Sequence, residues 1–222
     1  GLDSAGELHL WGYDGRGQVS QKPQLAQGLT WQSVALGVGH SAGLDSAGEL
    51  HLWGCDDRGQ VSQKPQLAQG LTWQSVALGV GHSAGLDSAG ELHLWGCDDR
   101  GQVSQKPQLA QGLTWQSVAL GRAHSAGLDS AGELHLWGDD LDGQVSKKPQ
   151  LAQGLSWQSV ALGGFHSAGL DSAGDWHLWG LDDRGQVSQK PQLAQGLSWQ
   201  SFALGVDHSA GLDSAGELHL WG

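Results

Sequence analysis

A chain assembled from copies of one short unit can fold only by packing that unit against itself. Residues 1–42 read GLDSAGELHLWGYDGRGQVSQKPQLAQGLTWQSVALGVGHSA, and the unit restarts at Gly43, Gly85, Gly127, Gly169 and Gly211. Five complete units are followed by Gly211 to Gly222, which duplicate residues 1 to 12. One unit is too short to enclose a core, whereas 222 residues suffice, so residues 1–222 are read as a single repeat-built domain. A period near 40 punctuated by Trp-Gly favours propeller blades over helical repeats. The 37 glycines and the strand-sized apolar stretches also argue against helices. The expected fold is all-β, a β-propeller of four-stranded blades.

Each unit offers four extended segments. In the first full blade these are A, Trp31 to Gly37; B, His40 to Asp45; C, Glu49 to Trp53; and D, roughly Gln60 to Ala68. Side chains alternate along a strand. Leu50 and Leu52 should therefore oppose His51 and Trp53, and Val34 and Leu36 should oppose Trp31, Ser33 and Ala35. Pro65 cannot donate to a ladder, which suits an outer edge. D is expected at the rim and A near the axis. Counting segments gives 22 strands, and so five to six blades, with five favoured. The duplicated ends then compete for one position or extend the ring into an incomplete sixth blade. Either way an edge stays exposed, and self-association through the termini is expected.

Composition narrows the partners. With 23 acidic and 11 basic residues the net charge is −12, which repels nucleic-acid phosphate. No run of 18 apolar residues occurs, so no membrane span is expected, and no signal peptide is visible. The absence of Met points to processing or excision. Cys55 and Cys97 stand at one position in adjacent units, a separation too wide for a disulfide. A reducing compartment, the cytoplasm, is the default expectation.

Ser-Val-Ala-Leu-Gly-x-x-His-Ser, followed by Gly-Glu-Leu-His-Leu-Trp-Gly-x-Asp-x-x-Gly-Gln, resembles the repeat of the regulator of chromosome condensation family. The resemblance covers about two thirds of every unit and implies propeller blades. The sequence departs from that repeat in Ala-Gly for Asp-Gly, His for the usual Tyr, Asp56 for Asn, and Val-Ser after Gln60. That family's usual seven blades would need about 294 residues at this period, so the resemblance implies the blade and not the blade count. Its exchange-factor role toward a small GTPase does not carry over, because no matching contact motif is visible. Small lectin propellers of the tachylectin type provide a precedent for five blades.

Three constellations invite chemistry. Gly39-His40-Ser41-Ala42-Gly43 matches a nucleophile elbow, but no helix pattern follows it and the first Gly is lost in later copies. Histidines form two rings, one at His40, His82, His124, His166 and His208, the other at His9, His51, His93, His135, His177 and His219. Such rings could hold a metal, but each His repeats with its blade and is read as structural. Asp139-Asp140-Leu141-Asp142-Gly143 lacks the ligand alternation and acidic twelfth position of a calcium loop. No catalytic site, metal or cofactor is expected. Eleven of the twelve tryptophans recur at two positions of the unit and are read as packing between blades. Trp176 replaces a Leu, Asp175 a Glu and Phe202 a Val, which marks a local repacking or an apolar patch.

The copies differ mainly in two loops. The A–B loop reads Val38-Gly39, Val80-Gly81, Arg122-Ala123, Gly164-Phe165 and Val206-Asp207; the C–D loop starts at Tyr13, Cys55, Cys97, Asp139 and Leu181. The B–C turn, Asp-Ser-Ala-Gly, is the same in all six copies, and the D–A return changes only Thr to Ser. Successive turns of an up-and-down blade alternate between its two ends, so both variable loops open on one face. These fifteen residues are the expected binding face of a non-enzymatic interaction propeller, for a protein, a peptide or a glycan. The alternatives are a ligand-free symmetric scaffold, designed or recently amplified, and a lectin-like glycan binder.

Overall fold

The computed structural model describes residues 1–222. Five antiparallel sheets of three strands follow one another along the chain. They are β1 (Trp31–Leu36), β2 (His40–Asp45) and β3 (Leu50–Gly54); β4 (Trp73–Leu78), β5 (His82–Asp87) and β6 (Leu92–Gly96); β7 (Trp115–Leu120), β8 (His124–Asp129) and β9 (Leu134–Gly138); β10 (Trp157–Leu162), β11 (His166–Asp171) and β12 (Trp176–Gly180); β13 (Trp199–Leu204), β14 (Ser209–Asp213) and β15 (Leu218–Trp221). These sheets, numbered 1 to 5 below, are the blades. No helix is long and apolar enough to cross a membrane.

Segments A, B and C therefore form as expected, and segment D does not form a strand. The reason lies in its own side chains. Asp56 Oδ1 accepts the amides of Val61 and Ser62 at 2.8 and 2.9 Å, and Gln63 N reaches back to Gly59 O, coiling the stretch. Pro65 contributes no donor. Lys64 reaches C with its ammonium instead of its backbone, donating to Leu50 O at 2.7 Å.

A second departure is a bulge in each A strand. In blade 1 the register shifts between Trp31 and Ser33. The extra residue rotates Trp31 onto the face that carries Val34, so these two pack together instead of opposing each other. Gly43 makes room for the ring: a Cβ there would lie 2.4 Å from Trp31 Cζ3.

Each joint between blades then joins unlike faces. Ala42, Leu44 and Leu50 of blade 1 pack on Trp73 and Trp95 of blade 2. The same residues of the unit meet between blades 2 and 3 and between blades 3 and 4. The joint to blade 5 is different. Trp176 stacks on Phe202, centroids 4.3 Å apart, and Phe202 lies edge-on to Trp199 and Trp221. Trp176 and Phe202 are thus one coupled repacking, not an exposed patch.

Polar bonds cross the same joints. His40 Nε2 lies 3.0 Å from Ser83 Oγ, Ser83 Oγ donates to Gln60 O at 2.9 Å, and Trp95 Nε1 donates to the same carbonyl. The Ser proton is committed to Gln60, so His40 must donate from Nε2. His-Ser, Trp-Gly and Gly-Gln, the residues that carry the family resemblance, are thus the bonds that tie one blade to the next.

The two copies of GLDSAGELHLWG take different positions. Residues 211–222 complete blade 5 as β14 and β15. Residues 1–12 form a hairpin with a single bridge, Leu2 to Leu8, seated on blade 1 through Leu8. The ring is not closed. Trp11 is 78% exposed at one end, and Leu218 and Leu220 are 60% and 66% exposed at the other.

Candidate protein-binding face

The A–B and C–D loops share one end of the blades. Cys55 N donates to Gly39 O at 2.8 Å, and Leu181 N to Phe165 O at 3.0 Å. The B–C and D–A turns share the other end, where Ser46 N donates to Thr30 O at 2.8 Å.

The invariant end is held by its aspartates. Asp45 Oδ1 accepts the amides of Ala47 and Glu49 at 2.9 and 3.0 Å, and Oδ2 lies 2.8 Å from His51 Nε2. His51 in turn meets Trp31 edge-on at 5.3 Å. Burial alone would raise the Asp45 carboxyl; the bonds from His51, Glu49 and Ala47 outweigh it and hold the pKa below the ordinary value. The second histidine ring is therefore structural. Asp213, Glu217 and His219 lie close enough to face one ion, as do Asp3, Glu7 and His9. They are the same turn residues, and in blade 1 the Glu pairs instead with Lys64. Grooves of about 320 and 290 Å³ on this side recur at one place in the unit, beside Lys148-Pro149 and Lys64-Pro65.

The first histidine ring lies directly beneath the variable loops. His40, His82, His124 and His166 are fully buried, each bonded to a Ser of the next blade. Burial pushes His40, His82 and His166 down to about 4 and His124 to about 3. They are neutral near pH 7, and Nε2 is spent on the Ser. Ser41 of the elbow-like motif is buried and donates to Gln18 O at 2.9 Å, inside a joint and away from solvent.

On the variable end two features form. Around the axis, Val38, Val80, Arg122, Gly164 and Val206, with the Leu-Gly pairs that precede them, line a mouth of about 270 Å³, which places the A strands innermost. Gly164 stands where most copies have Val because Val206 leans over it: a Cβ there would lie 2.9 Å from Val206 Cγ1.

Farther out, a cavity of about 470 Å³ spans the loops of blades 1 to 4. Of the fifteen expected residues it gathers Cys55, Val80, Gly81, Cys97, Arg122, Ala123, Asp139, Gly164 and Phe165. Tyr13, Gly39, Leu181 and Asp207 line neither feature. Arg122 lies over the Phe165 ring, 4.7 Å from its centroid, a cation–π pair. Cys55 and Cys97 are free thiols, as expected.

The cavity wall also includes residues of the same C–D loops beyond the fifteen: Arg58, Asp99, Arg100, Leu141 and Asp142. Of these, Arg58, Asp99 and Arg100 belong to a ladder between neighbouring loops. Arg16 pairs with Asp57, Arg58 with Asp99, and Arg100 approaches Asp139 at 3.8 Å. The hydrogen bond from Arg16 is the main cause that lowers the Asp57 carboxyl pKa, as Arg58 lowers Asp99. At the next step Asp142 stands in place of Arg and the ladder stops. The Asp139-Asp140-Leu141-Asp142 loop is therefore where a repetitive surface becomes singular. The signal was visible as Arg replaced by Asp, but its pairing across 41 residues of sequence was not.

Such an arrangement of blades defines a β-propeller-type fold. No protein-family model matches the sequence, and no curated protein matches it. Solved structures do. Prp20p of Saccharomyces cerevisiae superposes with a TM-score of 0.71 at 23% identity over 86% of this chain and 57% of that one; its structure is described together with binding to Gsp1p and histones. Yeast RCC1 (Prp20) bound to Kap60 matches at 0.71 and 22%, over 86% and 55%. Human WBSCR16 matches at 0.72 and 21%, over 88% and 62%. The fold is thus like that of the RCC1 propellers, and this chain spans less than two thirds of each of these three.

Proposed function

We propose that this chain is a non-enzymatic binding propeller that takes one protein or peptide partner on its loop face, centred on the cavity around Arg122 and Phe165. One observation carries the reading: the largest departure from repeat symmetry, Arg122 stacked on Phe165 beside the broken Arg–Asp ladder, coincides with a cavity of about 470 Å³. A symmetric scaffold without a ligand would have no cause to place its differences together. A glycan bound identically in every blade would need the loops to be alike. Exposed Arg and aromatic groups beside a concavity are the usual anchors of a protein interface. The net charge of −12 disfavours nucleic acid. The binding of Gsp1p, histones and Kap60 by the structurally similar Prp20 supports a protein partner.

The test is a displayed peptide library selected on the immobilised chain. Peptides recovered should lose binding to a Tyr13→Ala, Arg122→Ala, Phe165→Ala variant. They should keep it for Ala5→Lys, Ala47→Lys, Ala89→Lys on the opposite end. The reverse pattern would overturn the face assignment, and equal binding to both variants would favour the scaffold reading.

A further inference from the structure

Blade 5 presents a face whose partner the rest of the molecule defines. Leu212, Leu218 and Leu220 are the residues of the unit that are buried or half-buried as Leu44, Leu50 and Leu52 in blade 1, where blade 2 covers them with Trp73 and Trp95. Leu50 is 1% exposed. The complementary face occurs once more in the molecule without a whole blade upon it. On blade 1, Trp31 and Trp53 are covered by Leu8 of the N-terminal hairpin, with Leu10 and Leu25 packed against the cluster, and not by a blade.

That hairpin has the same twelve residues as 211–222, the end of the last blade. It occupies the seat that a preceding blade would fill, and it fills it incompletely. It has no A strand, and its two arms share one bridge, Leu2 to Leu8, where the equivalent pair β2–β3 has a five-residue register. The His–Ser bond of the joint is also missing on both sides. Ser41 receives no His, although Ser83, Ser125, Ser167 and Ser209 each do. His208 is exposed, whereas the four equivalent histidines are buried.

We infer that the last blade of one copy docks on the first blade of a second copy, displacing that copy's N-terminal hairpin. The occupant of the Leu face is thus a second copy of this chain, joined through the interface that already repeats between its blades. In the docked joint, Leu218 takes the place of Leu8 over Trp31 and Trp53. His208 donates to Ser41 of the second copy, and Lys22 there exchanges Leu8 O for Leu218 O. The association is head to tail and uses two different faces, so it can extend beyond two copies. Residues 1–12 act as a cap that competes with docking by being tethered to the seat.

Sedimentation of three proteins across the micromolar range tests this. The full 222-residue chain should associate with rising concentration. Deleting residues 1–12 should strengthen association by about tenfold or more, because the competing cap is gone. Leu218→Glu with Leu220→Glu should abolish association in both backgrounds. A folded deletion variant that stays monomeric overturns the inference, whether its ring has closed on itself or the face is inert. If the deletion variant does not fold, the full-length pair decides: equal sedimentation of the parent and the Leu218→Glu, Leu220→Glu protein overturns it. The loop variants described above leave these faces intact and should associate like the parent, so failure of the binding reading leaves this result unaffected.

Discussion

The two ends of each blade come from one 42-residue unit, yet they hold their shape by different means. At the turn end the side chains themselves build the turn. Asp45 alone satisfies two amides and a histidine, and every copy keeps Asp-Ser-Ala-Gly. At the loop end the fixed structure lies one residue beneath the surface. His40 and its equivalents hold the joint, while Val38 or Arg122 above them are exposed and touch little that the fold depends on. Variation collects where the backbone is supported from below, and it is absent where the side chain is the support.

Acid should break the comparison most sharply, because it attacks the buried layer of the loop end. His40, His82, His124 and His166 have folded pKa values depressed below the ordinary 6.5. As pH falls through 6.5 the unfolded chain takes up protons that the folded chain refuses until about 4, so stability is fully present above 6.5 and is lost on the way down. A depression from 6.5 to about 4 corresponds to roughly 3 kcal/mol for each such histidine. Urea midpoints measured at stepped pH should fall steeply from 6.5, with cooperative unfolding before pH 4. A flat profile over that window would show that these rings are not buried as described.

At the turn end, Asp129→Ala removes the acceptor for Ala131 N and Glu133 N and the partner of His135. The expected loss is about 3 kcal/mol, since three bonds to one buried carboxylate go at once. Thermal unfolding should show it as a clear fall in Tm.

The loop surface should be nearly silent in the same assay. Arg58→Ala breaks only the solvent-exposed pair with Asp99 and should leave Tm almost unchanged. A fall comparable to that of Asp129→Ala would erase the distinction between the two ends.

Much of this was legible in the sequence because the repeat supplies its own comparison. The three inner segments, the tryptophans of the joints and the sorting of variable loops to one end follow from periodicity and turn alternation. Segment D was misread because its apolar spacing resembles a strand, while Asp56 and Pro65 act on its backbone donors. The face of Trp31 was misread because a one-residue bulge reverses alternation and leaves no mark in the spacing of apolar residues. The cavity was half legible. Arg122 and Phe165 stood out as departures, but Arg58 and Arg100 enter it through pairings between units that no single copy displays.

The central claim is that the exposed loop differences among the copies serve binding and not folding. It is tested most directly by returning the A–B loops to the residues of the first two copies, Arg122→Val, Ala123→Gly, Phe165→Gly and Asp207→Gly, with Gly164 kept because Val206 fills its place. Stability and affinity for the selected peptides are then measured on this one variant. The account predicts an unfolding free energy within about 1 kcal/mol of the parent, as for surface changes generally, together with loss of peptide binding. Retained binding, or a collapse in stability, would contradict it.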